Sequence, residues 1–314
     1  MSLGVRPIVD FAFKKIFGSP VNANALISLL NAVLDPPHPI VEVQILNPFN
    51  LKEFEDAKEI ILDVRCRDDT GRWLNVEMQV YGYAGTMQRL VFYASSMYVD
   101  QMKAGDQYDL LSPAISVCFL DCVLFAETPV AHHHFLLVDR STGYSLDNGI
   151  EIHTVELPKY NLDGEPIGRS GKLEQWIFFL KRAQDFAADE LRRLLPGSDF
   201  EKAIDTIEII AAKTEDKQMY DRRERAMRDF QSILASARRE AIKEGRAEGR
   251  AEGRAEGHQQ GLMLGLEKGE LIGKVEVLME LVGDAPIARD QLLAMETDEL
   301  TQLLETLQRR LRDR

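Results

Sequence analysis

The stretch Ile60-Ile61-Leu62-Asp63-Val64-Arg65-Cys66-Arg67-Asp68-Asp69-Thr70-Gly71-Arg72-Trp73-Leu74-Asn75-Val76-Glu77-Met78-Gln79-Val80 decides how this chain folds. Two apolar, β-branched-rich segments flank Asp68-Asp69-Thr70-Gly71, a turn signal, so the stretch reads as a β-hairpin. Asp63 sits in the first strand and Glu77 in the second. Acidic side chains inside a core sheet are costly unless something neutralises them. A divalent cation held by hard oxygen ligands would do so. Glu77 and Gln79 are two apart and share a strand face. Whether Asp63 joins them depends on a register that the sequence leaves open. A strand-end aspartate facing solvent is the alternative.

Outward from the hairpin, the pattern is α/β. Phe13, Ile16 and Phe17 have helical spacing before Gly18, and Leu26, Leu29, Leu30 and Val33 mark a second amphipathic helix ended by Asp35-Pro36-Pro37. Strands are expected near 41–46, 58–67, 72–80, 114–120, 133–138 and 151–157, with a helix from about Thr86 to Lys103. The first 160 or so residues predict a mixed sheet flanked by helices, and from about 172 onward the pattern is helical, near 172–193, 199–212 and 216–243.

From 244 to 273 the chain changes character. Glycine stands at 245, 249, 253, 257, 261, 265, 269 and 273, and the first half repeats Glu-Gly-Arg-Ala. Each interior glycine costs a helix about 1 kcal/mol relative to alanine. The like-charged rows Glu244, Glu248, Glu252, Glu256 and Arg246, Arg250, Arg254 repel at i,i+4. Alone, the segment predicts weak helicity or disorder. It serves either as a flexible linker or as a small-residue stripe along which helices of two chains approach. Leu300, Leu303, Leu304, Leu307 and Leu311 then form one helical face. The expected organisation is a core at 1–165, a helical region at 166–243, the glycine repeat at 244–273 and a C-terminal helical region at 274–314.

The net charge of −13 argues against a protein that grips nucleic acid through overall charge, while leaving room for a locally basic cleft. Three cysteines with no metal-binding spacing, no apparent signal peptide and no membrane-length apolar run predict a cytoplasmic protein with reduced thiols and no membrane partner. Strand alternation splits His132 and His134 from His133, and without a cysteine or partner histidine at useful spacing no zinc site is expected there. No glycine-rich phosphate loop and no serine or cysteine nucleophile motif is present.

Asp63 with Glu77-Met78-Gln79 resembles the D…ExK core of the PD-(D/E)XK nuclease superfamily, with glutamine in place of lysine. More closely, the chain resembles the bacterial Rpn family of recombination-promoting nucleases and transposases. Asp10-Phe11-Ala12-Phe13-Lys14-Lys15-Ile16-Phe17-Gly18 is similar to its opening motif, Arg89 with Tyr93 to a helix signature of related nucleases, and Glu156-Leu157-Pro158-Lys159 to a downstream motif. The likeness spans about residues 5–240.

It implies a restriction-endonuclease-like α/β core followed by a helical C-terminal region, and a Mg²⁺-dependent DNA endonuclease, with Mn²⁺ as a possible substitute. Asp63 and Glu77 would hold the metal, Gln79 would orient water, and Arg89 would meet phosphate. Tyr93 supports the site or packs in the core. Lys14 and Lys15 contact DNA or form a solvated helix face. Asp10 is an outer acidic contributor or a helix N-cap. Gln79 lacks the usual lysine charge, which a second metal, or a cation such as Arg89, Lys58 or Lys14, would supply. DNA and a second copy of the chain, bound through the C-terminal region as a dimer, are the expected partners. The rival expectation is a catalytically degenerate nuclease fold that serves as an oligomerising interaction protein.

Overall fold

A hairpin organises the sheet. Strand β2 (Asp63–Asp68) turns into β3 (Trp73–Gln79), and Asp68 locks the turn. Its Oδ1 accepts from the Thr70 and Arg72 amides at 3.0 and 2.9 Å, while Oδ2 takes the Arg72 Nε at 2.7 Å. Gly71 adopts φ +89°, a conformation that disfavours side chains. The computed structural model describes residues 2–47, 63–82, 85–146, 149–162 and 166–313, with Asp63 described through its backbone alone. The 58–62 part of the first expected hairpin strand, and Lys58 with it, lies outside the described residues.

Six described strands form one mixed sheet. With β1 (Val43–Ile45), β4 (Ala114–Leu120), β5 (His132–Phe135) and β6 (Ile150–Glu156), the order is β1-β2-β3-β4-β6-β5. The β3–β4 and β4–β6 pairs are parallel and the other three antiparallel. Every residue of β4 is buried, as a central parallel strand covered on both faces requires. In β2 burial alternates, with Val64 and Cys66 inside and Arg65 and Arg67 outside. A one-residue slip would drive both arginines into the core, which pins the register.

The two faces differ. Val64, Cys66, Leu74, Val76, Met78, Ile115, Val117, Phe119 and Val155 form one side of the main core. Against it lie α1 (Asp10–Phe17), α2 (Ala23–Leu34), α4 (Lys172–Arg182), α5 (Ala188–Leu194) and α6 (Ser198–Ala212), contributing Phe13, Phe17, Leu26, Trp176, Leu191 and Phe200 among others. The other face is covered by α3 (Thr86–Val99), whose Leu90 and Ala94 pack on Cys118, Leu120 and Ile152. The expected mixed sheet flanked by helices and followed by a helical C-terminal region is present.

Three boundaries differ from the periodicity. Strand β5 stops at Phe135, and α3 stops at Val99. The helical pattern over 172–193 breaks between α4 and α5 because the Gln184 and Phe186 carbonyls accept from the Gly4 and Leu3 amides at 3.1 and 2.9 Å. A long-range pairing thus replaces local helix bonds.

The chain divides into two compact units, Met1–Ser232 and Ile233–Arg314. Helix α7 (Thr214–Val282) begins in the first and ends in the second, and it includes the whole glycine repeat. Its early turns supply Met219, Tyr220 and Met227 to the first core. Within the second unit, Ile272, Val275 and Met279 pack with Leu292 of α8 (Arg289–Ala294) and with Leu300, Leu304 and Leu307 of α9 (Thr297–Arg312). The repeat in isolation is expected to be weakly helical or disordered. Anchored segments on both sides supply the costly nucleus, so propagation carries the helix through the glycines. No described helix is by itself long and apolar enough to cross a membrane.

Candidate active site

The β2–β3 register answers the open question about Asp63. Its Cα partner is Glu77, and directly opposed positions of an antiparallel pair share a face. Position 63, Glu77 and Gln79 therefore lie on the α3 face of the sheet. Side chains at such paired positions start about 4.5–5.5 Å apart, close enough for one cation to bridge two carboxylates.

Glu77 is 5% exposed and Gln79 7%. Glu77 pairs in register with Cys118 of β4, which sets the buried thiol beside the Glu77 carboxylate. Burial, with the Glu77 charge second, pushes the thiol well above its ordinary value, so it remains protonated. Gln79 donates through Nε2 to the Tyr81 carbonyl at 3.0 Å, which fixes the carboxamide at the strand end.

Beyond Gln79 opens a pocket of about 300 Å³, lined by Asp10, Gln79, Arg89 and Arg223 and walled by Tyr81, Met227 and Phe230 among others. Four elements converge on it: the first turn of α1, the end of β3, the first turn of α3 and the third turn of α7. Tyr81 ties two of them together. Its hydroxyl, pushed up to about 12 by burial, donates to the Met227 carbonyl, and its ring packs on Phe230 at 5.1 Å.

Asp10 is the first residue of α1 rather than its N-cap, which is Val9. Its Oδ1 accepts from the Phe11 amide at 2.8 Å, and Oδ2 lies 3.7 Å from Arg223 Nη1. Burial raises the carboxyl above the ordinary range, and Arg223 with the Phe11 amide only partly offsets this. Arg89 lies with its guanidinium carbon 5.1 Å from the Tyr93 ring centre, so the half-buried Tyr93 backs the cation that faces the pocket.

The two lysines of the opening motif are largely withdrawn from solvent. Lys14 is 8% exposed. Lys15 Nζ lies 2.5 Å from Asp216, whose side chain is fully buried, and 5.5 Å from the Phe11 ring centre. That pair joins α1 to α7.

The Glu156–Lys159 motif has a visible structural task. Glu156 is fully buried on the same sheet face, accepts from the Leu124 and Phe125 amides and pairs with Lys159. Lys159 Nζ also donates to the Phe125 and Val130 carbonyls at 2.7 and 3.0 Å, pinning the loop between β4 and β5. Arg223 is the residue that sequence reasoning missed. It lies 213 positions from Asp10, within an ordinary arginine-rich helical pattern, and no local signal sets it apart.

A family model described as PD-(D/E)XK nuclease family transposase matches residues 7–237. The match takes in every residue named above at the site, and no curated protein and no solved structure matches the chain. The chain belongs to this PD-(D/E)XK nuclease family.

Proposed function

We propose that this member of the PD-(D/E)XK nuclease family is a Mg²⁺-dependent endonuclease that hydrolyses DNA phosphodiester bonds on the α3 face of its sheet. The observation that carries the reading is the direct pairing of position 63 with Glu77. The donor chemistry fits a hard divalent cation, since two carboxylates can hold Mg²⁺ while leaving positions for water and phosphate. Asp63 and Glu77 are the proposed ligands. When bound, the cation supplies positive charge to a phosphoryl oxygen and lowers the pKa of the attacking water.

The other roles belong to the chain's own groups. Cys118 packs beside Glu77 on the neighbouring strand. Gln79, anchored through Nε2, offers its carbonyl oxygen to orient water. Arg89, backed by Tyr93, contacts the phosphate, and Arg223 adds a second cation along the same pocket. The two guanidinium groups stand in for the lysine charge that Gln79 lacks. Asp10 keeps Arg223 turned toward the pocket. With a net charge of −13, DNA binding is local to this cleft and steeply weakened by salt.

A second reading, a degenerate nuclease fold that assembles copies of itself, draws on the tail. A Cβ at any glycine of the repeat meets nothing within 4 Å, and Leu262, Met263, Leu264 and Leu266 are 58–67% exposed. In the enzyme reading the same surface joins two copies, so that two active sites face the two strands of a duplex.

Nicking of supercoiled plasmid at low salt with Mg²⁺ or Mn²⁺ separates the readings, comparing wild type with Asp63→Ala and Glu77→Ala. The enzyme reading expects cleavage that EDTA and each substitution abolish. Wild-type protein that cuts no better than the two variants, yet self-associates, would establish the second reading instead.

A further inference from the structure

Strand β5 carries His132-His133-His134 along the sheet edge, and β6 beside it carries Glu151 and His153. The antiparallel register sets His134 directly across from His153 and His132 across from Val155. His132, His134, Glu151 and His153 therefore share one face. Glu77 is in register with Cys118, and Cys118 with Thr154, so this is the face opposite the candidate active site.

The side chains converge. His134 Nε2 lies 3.1 Å and His153 Nε2 3.8 Å from the same Glu151 oxygen, and one ligand atom from each residue falls within 4.8 Å of the others. Ligand atoms around a tetrahedral zinc ion are roughly 3.3–3.5 Å apart, from bonds of about 2.0–2.2 Å. His153 is 3% exposed, and its Nε2 is a buried atom without a hydrogen-bond partner, facing Glu151. The other ring nitrogen of His153 is held at 3.0 Å by His132 Nε2. If His153 Nδ1–H donates to His132, the Nε2 lone pair is bare, the tautomer that a metal-ligating histidine needs.

We propose that His134, Glu151 and His153 bind a zinc-class divalent cation that cross-links the edge strand β5 to β6, with His132 as the positioning residue for His153. Two imidazoles and a carboxylate select a borderline transition metal over Mg²⁺, which makes this site chemically distinct from the Asp63–Glu77 pair. The fourth position is open to water, because the His134 and Glu151 side chains are 43% and 30% exposed. The His134 and His153 rings stack 4.0 Å apart, and binding one ion through both Nε2 atoms requires the half-exposed His134 ring to rotate outward. His153 enters from a strand about twenty residues downstream, which strand spacing within the histidine run does not reveal.

The test uses the full-length, tag-free chain, dialysed against EDTA and then titrated with Zn²⁺ by calorimetry, and with Co²⁺ by visible absorption. The expected result is one Zn²⁺ per chain, a tetrahedral Co²⁺ spectrum, and a rise in melting temperature on Zn²⁺ addition. His134→Ala and Glu151→Gln, both at partly exposed positions, each weaken Zn²⁺ binding at least 100-fold and abolish the thermal shift. His132→Phe weakens binding 10–100-fold, as loss of an orienting partner does. Glu77→Ala leaves Zn²⁺ binding intact. No Zn²⁺ binding by wild type, or equal affinity in wild type, His134→Ala and Glu151→Gln, would overturn the proposal.

Discussion

Lys15→Met separates a packing role from a nucleic-acid role at the opening motif. The Asp216 side chain is 0% exposed and lies 2.5 Å from Lys15 Nζ, whose side chain is 18% exposed. Removing the lysine charge leaves Asp216 desolvated and uncompensated, a change that typically costs about 3–5 kcal/mol. Replacing both partners with apolar residues removes the buried charge altogether, so Lys15→Met with Asp216→Leu recovers most of the loss. The two tryptophans, Trp73 and Trp176, both lie in the first unit, so their fluorescence follows the unfolding of that unit in urea. With a slope of about 2–3 kcal/mol per molar urea, the single variant shifts the midpoint down by about 1–2.5 M. A Lys15→Met midpoint equal to wild type, accompanied by a several-fold loss of DNA affinity, would refute the packing argument and restore Lys15 as a DNA contact.

Two further outcomes follow from the site and the tail. Burial holds the folded Asp10 carboxyl above its ordinary value of 3.8, so the native state binds the extra proton between that value and the raised one, and stability falls as pH rises through the window. Asp10→Asn, melted in EDTA, is therefore more stable than wild type at pH 7, with the difference vanishing below about pH 4; a less stable variant at neutral pH contradicts this. In the repeat, Gly249→Ala, Gly253→Ala and Gly257→Ala together meet no steric obstacle within the chain and add up to about 3 kcal/mol of helix stability, visible as a later loss of helical circular dichroism on heating. A lower melting temperature coupled to loss of self-association in sedimentation would instead mean that those glycines face a second copy.

Local chemistry made the elements readable in the sequence. Apolar spacing marked the helices around Phe13, Leu26 and Leu300, alternation and the Asp68–Gly71 turn marked the hairpin, and the two-residue step put Glu77 and Gln79 on one face. These features depend on neighbours a few residues away, and the family likeness rests on the same short motifs. Tertiary structure decided what those motifs touch. It set position 63 opposite Glu77, because burying Val64 and Cys66 while exposing Arg65 and Arg67 excludes a one-residue slip and the Asp68–Arg72 turn fixes the pairing. It delivered Arg223 to Asp10, sequestered Lys15 against Asp216, and brought His153 to His134. Each of these contacts joins separate elements through the shared sheet and core, so no spacing along the chain encodes it. The helical glycine repeat follows the same rule: its own propensity is poor, and packed segments on either side determine its state.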